Sequence, residues 1–202
     1  PPESGWEGLK GYFEESARSS PRNSFLHYGL GVLCENKTRD FPLALASYEK
    51  ALASARESGR LADEAKHLNT IGNSYRARSS YPKALEYYEK ALEVNAKYGD
   101  KTERARFLGN CGIMHCYMGN PLRGRECYKQ ALGLDRESGQ RIHEAAMLRG
   151  IGFTHYRRGE YKESLSFYGQ ALQLARDYAD KQGEGRYLTD LATSYWVKGD
   201  FP

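Results

Sequence analysis

Tyr48, Tyr88, Tyr128 and Tyr168 stand forty residues apart, and their neighbours keep the same step. Ala51, Ala91, Ala131 and Ala171 follow in register, as do Leu52, Leu92, Leu132 and Leu172. A small residue (Ala44, Ala84, Gly124, Ser164) precedes each tyrosine by four. A fixed period of this size marks stacked supersecondary units, because one unit alone cannot bury its apolar face. The expected function therefore belongs to an extended surface and not to one pocket.

One period explains the rest. Leu68, Ile71, Gly72 and Tyr75 recur at the spacing of an amphipathic helix. Ser79-Ser80 interrupts that pattern, and Tyr81-Pro82 opens a second helix with proline where its missing N–H costs little. Ala84, Leu85, Tyr88, Ala91 and Leu92 form the second apolar stripe, and Gly99 ends it, as Gly59 and Gly139 do in adjoining copies. Gly72 and Ala84 allow close approach of the two helices. No segment alternates with period two, so the fold class is all-α.

The template assigns residues 23–60, 61–100, 101–140 and 141–180 to four helical pairs and 181–202 to the first helix of a fifth. Residues 1–22 hold a short amphipathic helix with Leu9, Phe13 and Ala17, either a cap or a degenerate half-repeat. The first copy carries one extra residue, expected in its inter-helix turn, since Gly31 to Phe41 is one longer than Gly72 to Tyr81. The Pro1-Pro2-Glu3-Ser4 start and the mid-repeat stop at Pro202 suggest an excised segment of a longer protein.

Thirty basic and 26 acidic residues leave a net charge of +4, without a basic block of the kind that marks a nucleic-acid or membrane patch. No apolar run approaches the roughly 20 residues that span a bilayer. Cys34, Cys111, Cys116 and Cys127 form no C-x-x-C pair, which argues against a zinc module or secreted disulfide framework and for a reducing cytoplasm.

These positions resemble the tetratricopeptide repeat (TPR) family: Leu-Gly-Tyr placements in the first helix, then Ala, Tyr and Ala in the second, over about Asn23 to Pro202. The resemblance implies a right-handed superhelical solenoid of helix–turn–helix repeats. The forty-residue step exceeds the common thirty-four and is similar to the repeats of Pins/LGN-type polarity scaffolds. Gly99-Asp100, Glu103, Arg104, Arg106 and Asn110 follow that layout; Gly150 and Asp190 depart from it at the Asn110 position.

In such a solenoid the first helices line a concave face. The resemblance then places Lys66, Asn73, Arg76, Arg106, Asn110, Arg149, Phe153, Tyr156, Arg157, Arg186 and Trp196 on a partner-binding line, with Thr70, Ile113, Cys116, Tyr117 and Val197 beside them. Arginine and lysine can meet carboxylates, and aromatics can anchor, so the expected ligand is an acidic or mixed acidic–aromatic peptide. The Lys–Asn pair of the chaperone-tail clamp is absent at Asn69/Asn73, Arg149/Phe153 and Tyr28/Val32.

Cys111 and His115 lie four apart but take the core slots of Ile71 and Tyr75, which favours packing over catalysis or metal binding. His155 shares the His115 slot, and His67 and His143 lie near helix starts with no partner cluster. Glu14-Glu15 and Glu86/Glu89 suit solvent-facing i,i+4 pairs. No phosphate loop, nucleophile elbow or H-E-x-x-H occurs. The expectation is a cytoplasmic, non-catalytic adaptor without cofactor or metal, binding a protein or peptide and no nucleic acid. Two other settings stay open: a sensor domain that closes around a small peptide, and a structural segment of a cytoskeletal or ciliary assembly.

Overall fold

Left-handed backbone recurs every twenty residues: Arg39, Gly59, Ser79, Gly99, Gly119, Gly139, Gly159, Ala179 and Gly199 all have positive φ. The forty-residue period is thus two helices of equal share, each ended by one such residue. At Gly59 the N–H donates to the Arg56 carbonyl at 3.0 Å and the Arg60 N–H to the Ala55 carbonyl at 3.0 Å, a Schellman cap. The same pair of bonds closes the turns at Ser79, Gly119, Gly139, Gly159 and Ala179. The next residue starts the following helix. Asp40, Asp100 and Asp180 do so with their carboxylates, accepting from the N–H of Leu43, Glu103 and Gly183 at 3.2, 2.9 and 2.9 Å.

The structure, a computed structural model, describes residues 3–20 and 22–199; the Pro1-Pro2 start and the Pro202 stop lie outside them. Among the described residues there are ten α-helices and no strand. They are α1 (Glu3–Ser19), α2 (Ser24–Leu33), α3 (Phe41–Glu57), α4 (Leu61–Ala77), α5 (Tyr81–Tyr98), α6 (Lys101–Tyr117), α7 (Pro121–Ser138), α8 (Arg141–Tyr156), α9 (Tyr161–Asp177) and α10 (Lys181–Lys198). They fall into two compact units, Pro1–Tyr98 and Gly99–Pro202. In the first, α1 packs on α2, and α2/α3 and α4/α5 form hairpins. In the second, α6/α7 and α8/α9 form hairpins and α10 packs on α9.

Each hairpin is locked by the same insertion. A Cβ on Gly72, Gly112 or Gly152 would come within 2.6, 2.8 and 2.8 Å of a ring carbon of Tyr88, Tyr128 and Tyr168, and one on Gly31 would overlap Tyr48. The forty-residue tyrosine is therefore a knob, and the first-helix glycine is the hole that receives it. Ala44, Ala51, Ala84, Ala91, Ala131 and Ala171 are fully buried around these rings.

The extra residue of the first copy is not in the turn. Arg39 has the left-handed backbone of Ser79, and Asp40 starts the next helix directly after it as Ser80 precedes α5. The addition is absorbed upstream in a π-helical segment, Cys34–Thr38, where the Thr38 hydroxyl donates to the Cys34 carbonyl at 3.2 Å. Widening one turn to i→i+5 accommodates a residue inside a helix, and the N–H groups of Arg39 and Asp40 then both reach the Cys34 carbonyl, where the other turns use two carbonyls.

Candidate protein-binding surface

The first helices carry two kinds of surface. In unit one, α4 presents Lys66 to solvent, with Asn73 and Arg76 half-buried on the same stripe. Asn73 is partly committed, because its Oδ1 accepts from the buried Tyr88 hydroxyl at 2.8 Å. Tyr48 makes the matching bond to Glu35 Oε2, at 2.8 Å. Burial pushes the Tyr48 phenol well above its ordinary range, with the bond to Glu35 and its charge acting in the same direction, so it stays a donor.

In unit two, α8 touches both α6 and α10. Arg106 and Asn110 are half-buried on α6, and Arg106 pairs with Glu103. Phe153 is half-buried, with the exposed Arg157 guanidinium over its ring at 5.8 Å. Tyr117 is 58% exposed and Trp196 72% exposed. Arg186 is also exposed on α10. Tyr156 is half-buried and packs edge-on against Tyr161 at 5.8 Å and 62°.

Two of the expected surface residues do other work. Arg149 is a strut between helices, bonding Asp190 through Nε at 2.5 Å and Nη2 at 3.3 Å. Its sequence position suggested a ligand-facing cation because Asp190 lies 41 residues away, beyond any local pattern. Cys116 is buried, and a Cβ on Gly124 would lie 2.6 Å from its Sγ. Burial pushes that thiol up to about 11.

The histidines are engaged as well. His143 meets the fully buried Asp135 at 2.7 and 2.8 Å. Beside it Glu144 receives Arg136 at 2.8 Å and Arg141 at 2.7 Å. Burial works to raise the Glu144 carboxyl, but the two arginine hydrogen bonds outweigh it and hold it below its ordinary value. His155 bonds Glu160 at 2.6 Å and stacks on Phe167 at 5.3 Å. His67 lies tilted at 41° against the Tyr28 ring at 5.6 Å, and burial lowers its pKa.

Cys111 is buried, in the core slot expected of it, and His115 is half-buried beside Cys127 and Leu122 in a cavity of about 520 Å³. Among the described residues no group of three or more His, Cys, Asp or Glu is placed to hold a metal ion, and no helix is long and apolar enough to cross a membrane. What the surface can do is recognise another polypeptide, through cations, amides and exposed rings.

Comparison with known proteins agrees with that geometry. A family model for the tetratricopeptide repeat matches residues 22–97, 63–137 and 143–202, leaving α1 outside. No match was found among curated proteins. Among solved structures, BtubC (BKLC) from P. vanneervenii has a TM-score of 0.82 at 19% identity, covering 98% of this chain and 83% of that one. The apo form of RapI has a TM-score of 0.80 at 15% identity, covering 96% of this chain and 55% of that one. The Pseudomonas aeruginosa pilF structure has a TM-score of 0.62 at 22% identity, covering 96% and 86%. At these identities the likeness is one of fold.

Proposed function

Because the chain belongs to the tetratricopeptide repeat family, we propose that it is a non-catalytic scaffold whose first-helix faces hold a segment of a partner protein. In unit two the binding residues are Arg106, Asn110, Phe153, Tyr156, Arg157, Arg186 and Trp196. In unit one they are Lys66, Asn73 and Arg76 on α4. Arg149 ties α8 to α10 beside these residues through Asp190. The ligand is a peptide with carboxylates for the arginines and an apolar or aromatic side chain for the rings. This is a fold-level reading, and its chemistry comes from the exposed groups.

One observation carries it. The exposed Arg157 stacked over Phe153, with the exposed Tyr117 on the neighbouring helix, unites the residue types that dominate interface energies. The test uses Arg106→Glu, Arg157→Glu and Arg186→Glu together and leaves Arg149 intact, so that the helix strut survives. Partners captured by the unmodified chain are expected to be lost, with helicity unchanged by circular dichroism. Capture that persists at the original level would refute the reading.

A further inference from the structure

Three residues after the repeat glycines Gly72, Gly112 and Gly152, the first helices carry a ring: Tyr75 in α4, His115 in α6 and His155 in α8. One residue before the knob tyrosine, α5 and α9 bring a second ring against it. Tyr87 stacks on Tyr75 with centroids 5.5 Å apart at 21°, and Phe167 on His155 at 5.3 Å and 14°. The α6/α7 hairpin breaks this pattern. There α7 supplies Cys127 at the same slot, half-buried as Tyr87 and Phe167 are.

The exchange of a ring for a thiol coincides with open space. A cavity of about 520 Å³ lies beside Cys127, lined by His115 of α6 and by Leu122, Arg123, Arg125 and Glu126 of α7. Leu122 is 50% exposed, and Arg123 and Glu126 are exposed as well, so the cavity opens to solvent. A site for a free small molecule buries about 70% or more of its ligand. This one offers a stacking surface for a single ring whose attached backbone remains outside.

Charge narrows the choice further. Arg123 stands five before its knob tyrosine, as Lys83 does in α5, where the Lys83 ammonium lies 5.3 Å from the centroid of the Tyr75 ring. Arg125 takes the position of Leu85 and Leu165, and it approaches Glu160 only to 4.0 Å. Against these two cations the cavity wall holds one carboxylate, Glu126, which Lys129 approaches to 3.8 Å. A cationic site of this kind suits the electron-rich face of an aromatic ring and carboxylates next to it.

We propose that this cavity receives an aromatic side chain of another protein, carried on an acidic segment. The ring stacks on the His115 imidazole, in the place that Tyr87 and Phe167 fill from within the chain. Arg123 covers the inserted ring as Lys83 covers Tyr75, and Arg125 meets a neighbouring carboxylate. The molecule itself supplies the precedent for the occupant, because two of its own hairpins fill this slot with a ring. None of the lining residues belongs to the first-helix line of Lys66, Arg106, Arg157 and Trp196, so the site does not depend on the peptide-binding reading.

The test follows the His115 imidazole by proton–carbon NMR while the chain is titrated with capped Asp-Trp-Asp and Asp-Leu-Asp tripeptides. The tryptophan peptide is expected to shift the His115 ring signals through its ring current and to bind about tenfold more tightly than the leucine peptide. Cys127→Phe copies α9 and fills the slot from within, so it is expected to abolish the response, whereas Cys127→Ala keeps it. Arg123→Glu, at an exposed position, is expected to weaken binding several-fold and decides the matter if the Cys127→Phe chain does not fold, which far-UV circular dichroism checks. The chain carrying Arg106→Glu, Arg157→Glu and Arg186→Glu is expected to respond as the unmodified one does, which separates a failure here from a failure of the first-helix reading. No shift at His115 with millimolar tryptophan peptide, equal binding of the two peptides, or a response that survives Cys127→Phe or Arg123→Glu undiminished overturns the proposal.

Discussion

Unit one and unit two are built on one template yet distribute polar groups differently. In unit one the slot just before the inter-hairpin turn holds Ala55, buried and neutral. In unit two the same slot holds Ala175 before α10 but Asp135 before α8, buried and paired with His143; the Arg136–Glu144 pair beside it repeats Arg56–Glu64 of unit one. Unit two also ties α8 to α10 through Arg149 and Asp190. Its first-helix surface bears exposed rings, whereas α4 in unit one bears Lys66, Thr70, Asn73 and Arg76. The glycine–tyrosine hairpin is indifferent to this change. Packing is carried by positions that recur, and surface chemistry by positions that vary.

The largest expected effect comes from the charged slot. His143→Ala leaves the Asp135 carboxylate buried without its partner, and loss of one member of such a pair costs about 3–5 kcal/mol. Thermal or urea unfolding measures it. Changing Asp135→Ala as well converts the slot to the alanine of unit one and should recover most of the loss, a direct double-mutant cycle. Full additivity of the two losses would show that the slots do not differ in this way.

Next in size is the knob and hole. Gly112→Ala forces a Cβ against Tyr128 and should cost about 1–3 kcal/mol by overpacking, and Gly72→Ala should cost a similar amount in unit one. Gly133→Ala, on the same template with open space around it, should instead stabilise α7 by about 1 kcal/mol. Opposite signs at Gly112 and Gly133 in a melting experiment are the expected result. Unequal costs at Gly72 and Gly112 would show that the hairpins are not equivalent.

The smallest effect concerns the turns. Ala179 has φ of 54° where unit one has Gly59 at 64°. Alanine in this conformation is strained by about 1–2 kcal/mol, partly offset by its lower entropy loss on folding. Ala179→Gly should therefore raise the melting temperature slightly and Gly59→Ala should lower it.

Much of the fold was legible because its causes are local and repeated. Gly72, Tyr88, Ala84 and Ala91 announce a hairpin through helical spacing, and four copies remove the ambiguity of one. The twenty-residue half-period was hidden because Arg39, Ser79 and Ala179 take the left-handed turn that glycine takes elsewhere. The candidate surface was less legible. Lys66, Arg157, Arg186 and Trp196 are exposed as their positions suggest, but exposure at Arg149 and Cys116 depended on neighbours in other helices.

Recurrent spacing by itself determined that this chain makes tyrosine-locked helical pairs, since the insertion of each ring into its glycine needs residues of one hairpin alone. Tertiary structure decided which charges remain available. Pairs such as Arg136–Glu144 bridge eight residues across a turn, and Arg149–Asp190 bridges 41. It also placed the added residue in a π segment instead of a turn. Those outcomes depend on distances between helices, and helical periodicity along one helix does not encode them.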